Sequence, residues 1–295
     1  MPTRPERRLP IPAEHGQVSR IWDLLRRTEF APTEYGSAAA RAGVSPAGAA
    51  VCAPAADLRR IPVESVRIRP DWRLFAADDP RGAAAERLRY LRLRLNQVWN
   101  PEKVKRLLIT SPLPHDGKST IALNLAVCLA EEGKRNVLIL DGDLHRASLS
   151  RLLSLDGRSG VAECLTSRAD PYSRIRRIEP AGIFFLPAGS AAGNPGELLQ
   201  GESLPQLMET LSRPFDWILI DSPPVAPLTD ALSWKEVADA SLLLARAGHT
   251  PPRSLEEALQ LIGRKHVLAI LLNGAEGLDR LHARYYKAYP GAGPR

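Results

Sequence analysis

The sequence lacks the features that mark secreted, disulfide-stabilised and membrane-spanning proteins. Its three cysteines stand at scattered positions without disulfide or metal-ligand spacing, which favours a reducing cytoplasm. Residues 1–12 are basic but contain no apolar stretch, so they do not read as a secretory signal. The longest uncharged apolar runs, Ile121–Ala130 and Val267–Ala275, are about half as long as a membrane span. We therefore predict a soluble, cytoplasmic protein.

Acidic residues are outnumbered by basic ones. The chain has 40 Lys and Arg against 33 Asp and Glu, a formal net charge of +7 and a pI near 9.6. Such a balance suits anionic partners, namely nucleotides, nucleic acid or an anionic membrane face. It also fits a generally Arg-rich composition, so charge alone does not select a partner.

Composition divides the chain into four parts. Residues 1–30 form an N-terminal segment in which 17–30 read as a short amphipathic helix. Residues 31–80 are an Ala/Gly/Pro-rich linker and lead-in, with too few large apolar groups to offset their ordering entropy. A folded domain is predicted for 81–280, followed by a Gly/Pro-bounded tail at 281–295 that contains tyrosines.

Short apolar runs alternate with helical patterns through the predicted domain. Strands separated by helices predict an α/β fold with a mainly parallel sheet flanked by helices on both faces. The predicted strands are Arg106–Thr110, Asn136–Leu140, Ile183–Leu186, Trp217–Ile220, Ala240–Ala245 and Val267–Leu272. The predicted helices are Arg81–Trp99, Lys118–Glu132, Leu204–Arg213, Ala231–Ala238 and Leu255–Arg264.

The segment Ser111–Thr120, SPLPHDGKST, lies between a predicted strand and a predicted helix. In that context the Gly-Lys-Ser run predicts a P-loop, in which backbone N–H groups surround the phosphates of a nucleotide. Lys118 is then expected to reach the β and γ oxygens and Ser119 to ligate Mg²⁺. Pro112 stands where the strict pattern has glycine, and His115 occupies a position that is often glycine. The predicted nucleotide-binding residues in the loop are Pro114, His115, Asp116, Gly117, Lys118, Ser119 and Thr120.

Aspartates end two of the predicted strands. Asp141 and Asp143 follow one buried strand and Asp221 follows another, at the sheet edge where open α/β sheets bind ligands. Asp221 is the candidate Mg²⁺ residue. Three carboxylates around one ion leave either Asp141 or Asp143 free to orient a nucleophile. The same aspartates could instead cap the following helices.

These motifs together resemble the bacterial tyrosine kinases of capsule and exopolysaccharide synthesis (BY-kinases), over about residues 81–290. The family pattern Asp-x-Asp-Leu-Arg-Arg-Pro reads here DGDLHRAS, with His145 and Ala147 as departures. Other matching parts are Asp221–Pro224 (DSPP), Thr229–Ala231 (TDA), Phe185–Leu199 (FLPAGSAAGNPGELL) and Asn273, which corresponds to a position near the adenine.

The resemblance implies a P-loop fold related to the partition-type deviant Walker ATPases, and a protein-tyrosine autokinase that uses ATP and Mg²⁺. It implies Lys118, Asp141 and Asp143 as the catalytic side chains, with Asp141 orienting or deprotonating the tyrosine hydroxyl. Ser119, Asp143 and Asp221 form the implied metal site. Ring assembly is implied for Glu86, Arg89 and Arg92, and autophosphorylation for Tyr285, Tyr286 and Tyr289.

The resemblance also implies partners. They are further copies in a ring, a membrane-embedded polysaccharide co-polymerase as activator, and a cognate tyrosine phosphatase, but not nucleic acid. The kinase is then cytoplasmic and recruited to the inner face of the membrane. Two alternatives stay open: a partition- or septum-type ATPase, against which the absence of lysine at 112–116 argues, and a non-catalytic ATP-binding scaffold of the export complex.

Overall fold

The computed structural model describes residues 57–66, 74, 82–98, 104–131, 133–167, 170–190, 194–226 and 229–275. The helix predicted at 17–30, most of the predicted linker and the tail with Tyr285, Tyr286 and Tyr289 lie outside these residues. Among the described residues, no helix is both long and apolar enough to cross a membrane.

One sheet of eight strands organises the described part of the chain. Its strands are β1 (Val63–Ser65), β2 (Arg106–Thr110), β3 (Val137–Asp141), β4 (Arg176–Glu179), β5 (Ile183–Leu186), β6 (Trp217–Asp221), β7 (Ala240–Arg246) and β8 (Val267–Asn273). They lie in the order β1-β4-β5-β3-β6-β2-β7-β8. Every neighbouring pair is parallel except β4 and β5, which are antiparallel.

Helices cover both faces of this sheet. They are α1 (Ala83–Val98), α2 (Lys118–Ala130), α3 (Ser148–Leu152), α4 (Val161–Ser167), α5 (Pro195–Leu199), α6 (Ser203–Ser212), α7 (Asp230–Val237) and α8 (Pro252–Ile262). Two apolar clusters separate the layers: α1, α2 and α3 contribute to one, and α4 to α8 contribute to the other. The predicted α/β class, with helices on both faces, is confirmed.

The central strands are apolar over most of their length because both of their faces are buried. Successive side chains of a strand point to opposite faces. Accordingly, Leu107 and Ile109 of β2 pack in the cluster beside α2, whereas Leu108, between them, packs in the other cluster. Likewise, Trp217 of β6 packs in the cluster beside α2, and Ile218 packs in the other cluster. This continuous burial explains why the predicted strands end within one residue of the observed ones.

Two strands at one side of the sheet and three short helices were not predicted. β1 lies inside the segment assigned to the linker and pairs with β4, so the sheet includes residues before position 81. β4 is mainly charged, with Ile178 its one buried side chain, and therefore carries no apolar pattern. The short helices α3, α4 and α5 are five to seven residues long, which is too short to show a helical period.

Candidate active site at the carboxyl edge of the sheet

The loop of residues 111–117 joins the end of β2 to the start of α2. Gly117 has a φ of 97°, and a Cβ at that position would lie 2.2 Å from Nδ2 of Asn273, so only glycine fits. The first N–H groups of a helix have no partner within it and carry the positive end of its dipole. The loop therefore leads into a helix N-terminus that can bind an anion.

A cavity of about 480 Å³ opens at this loop, within the size range of small-molecule sites. Seven of the eight predicted nucleotide-binding residues line it: Pro114, His115, Gly117, Lys118, Ser119, Thr120 and Asn273. The eighth, Asp116, is completely buried and is not part of the wall. Three arginines that were not predicted also line the cavity: Arg146, Arg151 and Arg246.

The aspartates that end β3 and β6 are neighbours in the sheet. Asp141 and Asp221 are paired in the parallel register of these strands, so their side chains share one face. Asp221 is 1% exposed, and neither of its carboxylate oxygens accepts a well-aligned hydrogen bond from the described residues, although the Ser119 hydroxyl lies close enough to act on it. Burial, and then the charge of Asp141, raise the pKa of Asp221 to about 8, whereas the charge of Lys118 and the Ser119 hydroxyl lower it.

Asp141 is better solvated by the protein than Asp221. The backbone N–H and the hydroxyl of Ser150, at the start of α3, donate to its Oδ2 at 2.7 and 2.8 Å. The N–H of Asp143 donates to Oδ1 at 3.3 Å. Burial is the largest influence on Asp141 and outweighs the Ser150 hydrogen bonds, so its pKa rises to about 6.

Asp143 is the carboxylate that forms part of the cavity wall. Its Oδ1 accepts a hydrogen bond from the N–H of Arg146 at 3.0 Å. Asp141 is completely buried and is not part of the wall. The structure thus brings together the three predicted aspartates, Lys118 and Ser119 at the end of the P-loop. Of the three aspartates, Asp143 is the one that lines the cavity.

The donor set fits a hard divalent cation. A buried carboxylate without hydrogen-bond partners, as at Asp221, is stabilised by an adjacent cation. No group of three or more His, Cys, Asp or Glu side chains in the described part of the chain is arranged as a metal site by itself. Mg²⁺ does not need such a group, because it takes one or two protein carboxylates together with phosphate oxygens and water.

Two residues that position the aspartates were not predicted from the sequence. The indole N–H of Trp234 in α7 donates to the carbonyl of Gly142 at 2.9 Å, and a Cβ on Gly142 would lie 2.8 Å from that nitrogen. Ser150 holds Asp141 from the other side. Trp234 is 92 positions from Gly142, so no local pattern could reveal the contact. The preceding Thr-Asp-Ala run was the nearest signal.

The helix that carries the predicted assembly residues has two different faces. Glu86 and Arg89 meet on the helix surface, with Nε of Arg89 3.0 Å from the Glu86 carboxylate. Arg92 instead donates to the carbonyl of Cys128, in the last turn of α2, at 3.3 Å. It also lies 3.9 Å from the carboxylate of Glu131. Arg92 therefore joins α1 to the end of the P-loop helix.

Comparison with known proteins agrees with the geometry. The ParA family model, described as a NUBPL iron-transfer P-loop NTPase, matches residues 105–231. These residues contain the phosphate loop and all three aspartates. The fold and the site therefore define a P-loop NTPase, and the matched segment resembles the ParA type.

Individual relatives are more specific. The chain is 32% identical over 187 residues to "Tyrosine-protein kinase CpsD" of Streptococcus pneumoniae serotype 4, covering 62% of this chain and 82% of the relative. Among solved structures it resembles the "BceF Tyrosine Kinase Domain" with 31% identity and a TM-score of 0.59, covering 68% of this chain and 81% of that one. The chain belongs to the bacterial tyrosine kinase family.

Other relatives are much longer than this chain. It is 32% identical to "Tyrosine-protein kinase ptk" of Acinetobacter johnsonii over 69% of its own length but only 28% of the relative. It is 31% identical to "Succinoglycan biosynthesis transport protein ExoP" of Rhizobium meliloti over 73% of its own length and 29% of the relative. The chain therefore spans less than a third of these two proteins.

Proposed function

We propose that this chain is an ATP-dependent protein-tyrosine autokinase that regulates polymerisation and export of an exopolysaccharide or capsule. The observation that carries the proposal is the unpartnered Asp221 carboxylate beside Lys118 at the P-loop, in a chain of the tyrosine kinase family. The names of ExoP and CpsD support the connection to polysaccharide synthesis and to tyrosine phosphorylation, respectively.

The P-loop binds and orients the triphosphate of ATP. Lys118 carries the positive charge nearest to it, and the N-terminus of α2 supplies backbone donors. Ser119, Asp143 and Asp221 would hold Mg²⁺, which neutralises phosphate charge during transfer when it is bound. The Asn273 side chain lines the cavity beside Gly117 and is proposed to lie near the adenine.

Asp141 is proposed to orient or deprotonate the acceptor tyrosine hydroxyl. Its raised pKa of about 6 suits a base that works near neutral pH. Because Asp141 is completely buried and does not line the cavity, the acceptor hydroxyl can reach it only if the wall beside Asp143 opens. Since phosphoryl transfer depends mainly on positioning and charge neutralisation, these few side chains are sufficient.

The proposed acceptors are Tyr285, Tyr286 and Tyr289, presented by a neighbouring copy in a ring that Glu86, Arg89 and Arg92 help to assemble. Phosphorylation adds about −1.5 to −2 charges at each tyrosine. That added charge would change how the tail docks. The remaining proposed partners are a membrane-embedded co-polymerase, which recruits the cytoplasmic kinase to the membrane, and a tyrosine phosphatase.

The decisive experiment incubates the full chain with labelled ATP and Mg²⁺, with and without the cytosolic tail of the co-polymerase. Phosphotyrosine is then mapped by mass spectrometry. We expect label on the tail tyrosines, and its loss in Lys118→Met. Lys134→Met, which removes an exposed lysine far from the cavity, is the matched control and should label normally. ATP binding without any phosphotyrosine would contradict the proposal and favour the non-catalytic scaffold.

A further inference from the structure

The turn that follows β7 is attached to the phosphate loop through a buried carboxylate. Asp116 is completely buried, and its Oδ1 accepts a hydrogen bond from the Thr250 hydroxyl at 2.7 Å. Nδ1 of His249 lies 3.1 Å from the same oxygen. The other oxygen accepts from the N–H of Leu113 at 3.1 Å. A side chain inside the phosphate loop is thereby fixed to residues more than 130 positions away.

Two further contacts hold the backbone of the same loop. A guanidinium N–H of Arg246 donates to the carbonyl of His115 at 3.2 Å, and the side-chain amide of Asn273 donates to the carbonyl of Asp116 at 2.9 Å. Thr250 is itself fixed, because its hydroxyl accepts from the N–H of Arg246 at 2.7 Å. The ends of β7 and β8 thus act on the loop from the side opposite α2.

The loop needs this support because one of its residues is strained. His115 has a φ of 65°, in the left-handed region that glycine occupies freely and that a residue with a Cβ occupies at a cost. Such conformations persist where the surrounding contacts over-determine them. His115 stands where P-loops often have glycine, and it is flanked by the fixed carboxylate of Asp116.

We infer that Asp116 is a positioning residue that holds the phosphate loop in its nucleotide-binding shape and so compensates for histidine at position 115. Its carboxylate points away from the cavity and acts through the loop backbone. The inference rests on the proposed nucleotide binding at this loop. It does not depend on whether the phosphate is transferred to tyrosine.

Asp116→Ala tests the inference through the affinity for a fluorescent ATP analogue in the presence of Mg²⁺. We expect the Kd to rise about tenfold or more, since hydrogen bonds to a buried charged group are lost. Asp116→Asn retains an acceptor for Thr250 but turns an N–H₂ group towards the N–H of Leu113. Its Kd should therefore lie between that of the wild type and that of Asp116→Ala. The KM for ATP should rise in parallel.

A second substitution separates positioning from general stabilisation. His115→Gly allows the left-handed conformation without the Cβ penalty. In the Asp116→Ala background it should recover a large part of the lost affinity. Ser154→Gly is the matched control, since Ser154 also has a positive φ, 58°, but lies outside the cavity wall. That change should leave the Kd of Asp116→Ala as it is.

Asp239→Asn controls for the loss of any buried aspartate. Asp239 accepts four hydrogen bonds at the opposite end of the sheet, so its replacement should lower the melting temperature without changing the Kd. The inference is overturned if Asp116→Ala binds like the wild type, or if His115→Gly recovers no affinity. Normal nucleotide binding by the wild type without phosphotyrosine would contradict the proposed kinase and leave this inference standing.

Discussion

Aspartates at the two ends of the same sheet have opposite environments. At the amino end, Asp239 accepts from the N–H groups of Lys105 and Arg106 at 2.8 and 2.7 Å and from the Arg106 guanidinium at 3.0 and 2.5 Å. At the carboxyl end, Asp221 is more completely buried than Asp239, yet neither of its oxygens accepts a well-aligned hydrogen bond from the described residues. One residue type is therefore fully satisfied at one end and unsatisfied at the other.

The difference separates a structural aspartate from a functional one. A buried charge destabilises the fold unless it is paired, and Asp239 has a guanidinium for that purpose. Asp221 has the buried carboxylate of Asp141 beside it, which raises its pKa further. An arrangement that is unfavourable in the protein alone becomes favourable when a cation enters. An arrangement of this kind is typical of a ligand site, where local stability is lower than it could be.

Replacing Asp221 should give the largest change and break the contrast directly. Asp221→Asn removes the charge expected to face Mg²⁺, so phosphotyrosine formation should fall about 100-fold or more. The free energy of unfolding of the ligand-free protein at neutral pH should rise, because the amide, unlike Asp221 with its pKa of about 8, does not have to take up a proton on folding. Chemical denaturation and phosphotyrosine blotting of the same preparation measure both effects. A variant that is less stable and still active would contradict this assignment of Asp221.

Replacing Asp239 should have the reverse outcome. Asp239→Ala leaves the Arg106 guanidinium, which is 20% exposed, without its partner, and two backbone N–H groups lose their acceptor. We expect a loss of about 2 to 3 kcal/mol in the free energy of unfolding. Activity per folded molecule should stay at the wild-type level. A comparable loss of kinase activity below the melting transition would show that the two ends of the sheet are coupled.

Most of the sheet and the centre of the site could be predicted because their signals are local. β2, β3 and β6 each have an apolar run of three or four residues, and each leads directly to the P-loop or to an aspartate at the carboxyl edge. The Gly-Lys-Ser run and Asp221 needed only their place after a strand to be recognised. Their convergence follows from parallel strands that end at one edge.

The supporting contacts could not be predicted because they join distant positions. Thr250 meets Asp116, and Trp234 meets Gly142, across more than 90 positions without any sequence pattern. Position in the loop suggested that Asp116 lines the nucleotide site, whereas its carboxylate is directed to Thr250. Family likeness predicted an assembly role for Arg92 but could not show that it also contacts the carbonyl of Cys128 in α2. Motifs identify the site, and tertiary contacts decide where each side chain points.

The pH dependence of stability should sharpen the contrast between the two ends. The folded-state pKa of Asp221, about 8, lies above its ordinary value of 3.8, so the folded protein binds more protons than the unfolded chain between these values. Stability contributed by this residue is therefore lost as the pH rises towards about 8. Burial lowers the pKa of His266 from 6.5, which gives the opposite slope at lower pH.

Denaturant unfolding between about pH 6.5 and pH 8 isolates the effect of Asp221. The free energy of unfolding of the wild type should fall over this interval relative to that of Asp221→Asn. Asp239→Asn should keep the wild-type slope. Parallel curves for the wild type and Asp221→Asn would show that Asp221 has an ordinary pKa. Addition of Mg²⁺ and nucleotide should reduce the slope of the wild type, because binding favours the ionised carboxylate.

The smallest expected effect concerns Ser150. Its hydrogen bonds make Asp141 intermediate between Asp221 and Asp239 in the number of hydrogen bonds that the carboxylate accepts. The Ser150 hydroxyl donates to Asp141 and accepts from the N–H of Ala188 at 3.0 Å, so Ser150→Ala should cost about 1 to 2 kcal/mol of stability. Loss of a donor to the ionised carboxylate also raises the pKa of Asp141 above about 6. If Asp141 is the base, the acid limb of the pH–rate profile moves to higher pH.

Ser241→Ala, which removes a buried hydroxyl bonded to His266, is the control and should leave that limb in place. An acid limb that stays fixed in Ser150→Ala, despite the loss of stability, would assign the proton transfer to another group, and Asp143 on the cavity wall would be the first to test.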